Sequence, residues 1–443
     1  DFQKITAQTG LKTILEGGLP VESQLKLLKE VFGPDIVKSL LNKRDLFPKM
    51  LDATGEVLNV TRAIMSSYDV SAPFRQGVMM VTRPKQFFGA FKSMFKQLVS
   101  EDAYKVAQEE IASRPTFDLM QQAKLDLTEV GGSLSTKEEA FMSNLAEKIP
   151  GLGIGVRASS RAYTGFLNKL RADVFDDIVS QAQKSKINLD EKTLSSLGEF
   201  INTFTGRGKL PGAIQSAAPV LNGVFFSPRL MASRLQILNL QFYAKLPPVV
   251  RKQALYSLFS TLGLGATMLG VAKTGGADVE VNPRSADFGK IKLGNTRIDV
   301  WGGLQQYARL AGQLYTGELI STTSGKLSKV GEGFQPVTRM EIISRFLQSK
   351  EAPVASFVTN LFKGEDSLGN PIDLPKEIID RITPMVIGDM YDLYKEYGPE
   401  GLPLIIPSML GMSVSTYGKN EPKTEVNAAG QPVVKMKPVS DLG

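Results

Sequence analysis

The sequence predicts a mainly α-helical chain, a multi-helix assembly with one small β-hairpin near residues 288–301. Three observations predict it. Apolar residues recur at helical spacing through residues 1–200, with Gly and Pro joints between the runs. One stretch, Ala254 to Ala272, carries no charge for nineteen positions. In FGKIKLGNTRIDVW, Phe288 to Trp301, Gly294-Asn295 stands between two runs rich in Ile, Leu, Val and Thr, the pattern of a two-residue hairpin turn.

Taken in order, residues 1–60 read as short helices, with Leu25, Leu28, Val31 and Phe32 on one face and Gly33-Pro34 and Pro48 as punctuation. Residues 61–204 stay helical, with joints at Ser113-Arg114-Pro115, Gly131-Gly132 and Pro150-Gly151-Leu152-Gly153. Residues 205–276 hold a Gly- and Pro-interrupted segment and then the apolar helix. The uncharged run from Leu210 to Pro228 contains Pro211, Pro219 and Gly223, so it reads as buried loops or short helices rather than a regular span. Residues 277–418 carry the hairpin followed by helices and loops, including another Pro-broken apolar run over 401–418, and 419–443 form a polar, extended tail.

Composition narrows the chemistry. The 443 residues include no Cys and no His. Disulfides, thiolate or imidazole metal sites, cysteine nucleophiles and any Ser-His-Asp triad are therefore excluded. The net charge of +7 favours anionic partners, phosphate backbones or lipid headgroups, only weakly against 52 basic residues. The start at Asp1, with no signal-peptide layout after it, leads us to expect a processed product or a piece of a longer chain.

A nineteen-residue helix is about 28 Å long, close to the roughly 30 Å hydrocarbon core of a bilayer. Arg251, Lys252 and Lys273 flank the uncharged run, and Leu255, Leu258, Phe259, Leu262, Leu264, Met268 and Leu269 are its candidate lipid contacts. Three glycines and several hydroxyl residues dilute it, and Ala266 and Gly270 allow close helix contact in either setting. An all-round apolar helix is a membrane span or the core of a soluble bundle, and these residues leave both open.

TRPKQFFGAFKSMFKQL, Thr82 to Leu98, is a basic amphipathic helix. At roughly 100° per residue Lys85, Lys92 and Lys96 fall within about 40° of one another. Phe87, Phe88, Phe91 and Phe95 share a separate arc with Met94 and Leu98. Lysines beside a Phe-rich face suit an interfacial membrane helix, as they also suit a packed helix with solvated lysines.

Asp173, Asp176 and Asp177 share one helix face, which serves a magnesium ion, acid–base work or plain solvation. TGRGKLPG at 205–212 and TSGKLS at 323–328 lack P-loop spacing. Arg157 and Arg161, followed by Tyr163, Lys169 and Arg171, together with Arg207 and Lys209, are candidate contacts for a DNA backbone. Around the hairpin Asn282, Pro283, Arg284, Asp287, Lys290, Arg297 and Asp299 suggest an ion-paired cap on the following helix.

Five strings carry a resemblance: SAPFRQG at 71–77, TGRG at 205–208, FFSPR at 225–229, NPRSADFGKIKLGNTRIDVWGG at 282–303 and SKEAPVASFV at 349–358. Across roughly residues 60–420 the chain resembles regions of very large tailed-phage proteins of the "large polyvalent protein-associated" type, and is similar to phage internal virion proteins. We expect a non-enzymatic protein without cofactors, and the resemblance implies one carried in the capsid interior or near the portal and tail and delivered with the genome to the host envelope. It implies other virion proteins as partners, a homo-oligomer, and contact with the host membrane or DNA. The alternatives are a soluble protein that binds or guides DNA, or a carrier region of a larger polypeptide. It carries no catalytic residue onto this sequence.

Overall fold

The computed structural model describes residues 75–128, 152–210, 227–320, 325–332, 337–350, 385–399 and 412–416, with short pieces at 21, 23–24, 26, 407, 424–426 and 432–434. The chain divides into a unit of residues 1–60 and a unit of residues 61–443. In the first, the described residues show Val21 N–H donating to Gln24 Oε1 (3.1 Å). The second is mainly helical, with a few short strands in small antiparallel sheets. The stretches expected over 61–204, 205–276 and 277–418 all lie within it.

Its body opens with a 3₁₀ turn at Val78–Met80 and then α1 (Pro84–Val99), where Pro84 fits the first turn because its missing N–H has no helical partner there anyway. Ser100 separates α1 from α2 (Glu101–Ala112). It is extended, and its hydroxyl caps α2 by accepting from Ala103 N (3.1 Å), while Glu101 and Asp102 face the positive helix end. After the joint at 113–116 come α3 (Phe117–Gln122), the 33-residue α4 (Leu152–Lys184) and α5 (Glu191–Phe204), the last capped by Asp190. The expected joint at Pro150–Gly153 ends earlier than its glycines suggest, since α4 already includes Gly153. The joint at Gly131-Gly132 lies outside the described residues.

α4 is the axis of the body, roughly 50 Å long. Every residue from Ala162 to Asn168 is buried. α1 lies along it, with Phe87 edge-on to Phe166 at 5.6 Å between ring centres. The helices meet at Gly165, where a Cβ would come within 1.5 Å of Gln97 Oε1. Arg161 donates to the carbonyls of Gln97 and Leu98 (both 3.4 Å), closing the C-terminus of α1.

Burial on all sides traps polar groups, and these are satisfied by loops drawn in from outside. Asn168 Nδ2 donates to Gln108 Oε1 and Thr128 O (both 2.7 Å), and Thr128 N returns a bond to Asn168 Oδ1 (2.8 Å). The fully buried Arg171 donates to Thr205 Oγ1 (2.8 Å), Thr205 O (3.0 Å) and Asp126 O (2.7 Å).

The chain returns through α6 (Pro228–Leu238) and α7 (Leu240–Lys245) to α8 (Pro248–Thr274). Then follow β1 (Asp278–Val279), β2 (Lys290–Leu293) and β3 (Thr296–Asp299), the hairpin turning at Gly294-Asn295 with Gly294 at φ +54°. α9 (Leu304–Thr316) runs between two left-handed glycines, Gly303 and Gly317. β4 (Glu318–Ile320) pairs with β5 (Leu327–Lys329), and α10 (Arg339–Gln348) opens with a Thr338/Glu341 capping box. α11 (Met385–Tyr397) precedes β6 (Ser413–Thr416).

The sheet is larger than the expected hairpin. Its order is β1-β2-β3-β6, with Ile298 opposite Val414 and the Thr296 and Thr416 hydroxyls 2.9 Å apart. Ile298, Val300, Leu393 and Val414 form a second small core under it. Residues 304–418 thus hold strands beside the expected helices, because β3 leaves an edge that the short run Ser413–Thr416 closes. In the tail expected to be extended, β7 (Thr424–Val426) and β8 (Pro432–Val434) pair antiparallel. The run at 210–228 is described only at its ends, and that at 401–418 only at Pro407 and 412–416.

Replacing Arg171 with Met should lower stability by roughly 2–4 kcal/mol, since three buried acceptors lose their donor. Lys should not restore it, lacking the planar fork that reaches all three. Urea unfolding midpoints of the two variants check this.

Candidate membrane-facing surface

α8 is packed the wrong way round for a soluble core helix. The stripe it buries is Val250, Ala254, Ser257, Thr261 and Gly265, mostly small and partly polar. On the far side Tyr256, Phe259 and Leu262 are 54%, 64% and 39% exposed, and Leu264 and Val271, at the edge of the buried stripe, are 38% and 66% exposed. Leu255 and Leu258 are half-buried against the main core, and Met268 and Leu269 against the small one. Among the described residues α8 is the one helix long and apolar enough to cross a membrane, and only 22% of its apolar window is buried. α8 thus differs from a fully buried core helix in leaving Tyr256, Phe259 and Leu262 outward. Each large apolar group moved out of water contributes roughly 1–2 kcal/mol, so the arc is a strong driver of association.

The basic flanks differ in role. Arg251 donates to Tyr243 O (2.9 Å), Ala244 O (2.8 Å) and Leu246 O (2.9 Å), closing the end of α7, while Lys252 and Lys273 are exposed. Arg83 ties the start of α1 to α8. It donates to Gln253 Oε1 (2.6 Å), pairs with Asp177 (3.3 Å) and stands 6.0 Å over the Tyr256 ring.

The Phe-rich face of α1 is divided. Phe87 is buried and Phe91 half-buried, because the arc they share with Met94 and Leu98 is the seam with α4. That corrects the placement of Phe87 as a lipid contact, since its ring has no outward surface. Phe88 and Phe95, 60% and 44% exposed, instead edge the stripe of exposed Lys85, Lys92 and Lys96. An outward band of three lysines and two phenylalanines remains.

The residues expected on DNA do not form a track. Arg157 and Lys209 are exposed, but Arg161 is committed to the end of α1. Arg207 is buried, 3.6 Å from Asp126 Oδ2 and donating to Thr128 Oγ1 (3.1 Å), and Tyr163 and Arg171 are buried too. The TGRG loop is a packed joint, with Gly208 N donating to Arg229 O (3.1 Å).

Asp173, Asp176 and Asp177 are half-buried and each is ion-paired. Arg114 reaches Asp173 and Asp176 (both 2.9 Å) and Glu110 (2.7 Å), Lys169 reaches Asp173 (3.2 Å), and Asp176 also accepts from the Thr116 hydroxyl. The acidic face pins the α2–α3 joint to α4. Around the hairpin Arg297 and Lys290 pair with Asp287 (2.8 and 3.5 Å), and Arg284 pairs with Glu318 (2.6 Å), a residue outside the expected set.

Beyond Asp299, sequence patterns singled out no member of a second set of buried charges. Arg234 and Asp299 are buried, with Arg234 Nε and Nη1 and Asp299 Oδ2 lacking hydrogen-bond partners. Lys350 stands 5.3 Å over the Phe346 ring and bonds Gln306 Oε1. Burial, then the nearby Arg309, pushes its ammonium down to about 8 from the ordinary 10.5. A lowered pKa contributes stability in full above the unfolded value, and that stability is lost as pH falls through the folded one. Unfolding free energy should therefore rise from about pH 8 to 10.5, and Lys350→Met should flatten that rise in denaturation curves taken across the window.

Comparison of the chain with protein-family models, with curated proteins and with solved structures gives no match.

Proposed function

We propose that this chain is a non-enzymatic structural protein of a tailed-phage virion, delivered with the genome, that meets the host membrane through α8 and helps build a conduit for DNA. The phage setting rests on the strings at 71–77, 205–208, 225–229, 282–303 and 349–358. The membrane role rests on one observation, the outward Tyr256, Phe259, Leu262, Leu264 and Val271 of a helix whose small residues face the protein. Lipid is the occupant that suits this face. The uncharged run matches hydrocarbon thickness, and exposed lysines stand beyond both ends, where they reach headgroups. The band of Lys85, Lys92 and Lys96 with Phe88 and Phe95 supplies attraction to anionic headgroups and shallow anchors. Other virion proteins and further copies of the chain are its partners in this proposal.

Flotation with vesicles containing anionic lipid tests it. Wild-type protein should float. Phe259→Asp with Leu262→Asp should weaken binding about a hundredfold, in line with two large groups withdrawn from lipid. The fold should be intact, because both positions are exposed. Lys92→Glu with Lys96→Glu should weaken binding at low salt and much less at high salt. Wild-type protein that never floats removes the membrane role.

A further inference from the structure

As folded, α8 has one face committed to its own chain. Such a helix can lie in a membrane surface, but it spans only if that face is also released to lipid. What holds the face is uneven along its length. The first half packs on the main core through Val250, Ala254, Leu255 and Leu258. The second half is held at Gly265 by Trp301, the sole tryptophan of the chain, and beyond it by Met268 and Leu269 on the small core. A Cβ at Gly265 would stand 2.3 Å from Trp301 Cζ3, so the indole sits directly on the helix backbone. The ring is fixed from behind, its Nε1–H donating to Gly289 O (2.7 Å) and its backbone N–H to Asp299 Oδ1 (2.8 Å). Trp301 also packs against both hydrophobic cores, joining the helical body to the sheet.

The stripe beneath the ring gives up little on leaving the protein. Thr261 donates to Ser257 O four residues back (2.8 Å) as well as, at 3.5 Å, to Met79 O, so its hydroxyl stays bonded within the helix in lipid. Ser257 Oγ is buried without a hydrogen-bond partner, and undocking costs it no bond. We infer that the Trp301–Gly265 contact is a clamp that restricts α8 to surface attachment, and that opening it frees the second half of α8 to enter hydrocarbon. The inference rests on the membrane reading above.

A cysteine-free chain with one tryptophan makes the test direct. Thr267→Cys, exposed and unique, takes an environment-sensitive dye whose emission reports depth in vesicles of zwitterionic and anionic lipid. Gly265→Leu, which wedges the ring away, and Trp301→Ala, which removes it, should each raise the fraction of bound protein with a buried dye about tenfold, the order expected when an aromatic contact is lost. Trp301→Phe, which keeps a ring but loses the Nε1 donor, should fall between and guards against a variant that merely misfolds. In the unlabelled wild type, Trp301 emission should change when vesicles induce insertion. If all forms float and the dye at 267 is equally exposed in each, the clamp is refuted and the membrane role stands. If no form floats, both fall.

Discussion

The burial of the middle of α4, Ala162 to Asn168, on every side is the constraint from which the rest of the body follows. A helix so enclosed cannot send its polar groups to water, and Asn168 and Arg171 therefore determine which loops must come to it. Thr128 is held by Asn168, and Thr205 and the Asp126 carbonyl by Arg171. These bonds bring the ends of α3 and α5 together, and Arg207 and Arg229 complete the joint on the Asp126 carboxylate. α6, α7 and α8 then have a fixed surface on which to pack. Glycine at 165 is part of the same arrangement, because it lets α1 approach closely enough to seal one flank of the axis.

Much of the fold was legible in the sequence, and the reasons differ by element. The hairpin could be read because its turn chemistry is local, Gly294-Asn295 between β-branched runs. β6 could not, since Ser413–Thr416 is four residues long and finds its partner more than a hundred positions away. The arc of α1 was clear as an arc, but periodicity does not say how wide a seam α4 will cover. Hence Phe87 and Phe91 went inward and Phe88 and Phe95 outward. For α8 composition alone was undecided. What composition does not contain is which residues other elements claim: the fully buried ones are mostly small, while Leu255, Leu258, Met268 and Leu269 are only partly covered.

Charge was the least legible property. Arg161, Arg171 and Arg207 look like a basic run in one dimension, yet each points at backbone or carboxylate within the body. The three aspartates near them look like a site and act as the other half of a structural network, Asp173 and Asp176 through Arg114 and Asp177 through Arg83. Arg234 and Lys350 carry no sequence signal at all, being single charges in otherwise ordinary helices or turns. Several of the side chains that make the chain basic are therefore used in joining helices, while Lys85, Lys92 and Lys96 of α1 face outward together.

One further property follows from Gly263 and Gly270, at both of which a Cβ would meet nothing within 4 Å. With no side chain to shield the backbone at these turns, buffer competes for the peptide groups, and each glycine weakens the rod by about 1 kcal/mol relative to alanine. Oil offers the amides no such rival. The second half of α8 should consequently exchange its amide protons faster in aqueous solution than in a lipid phase, gaining rigidity where most soluble helices would lose their support.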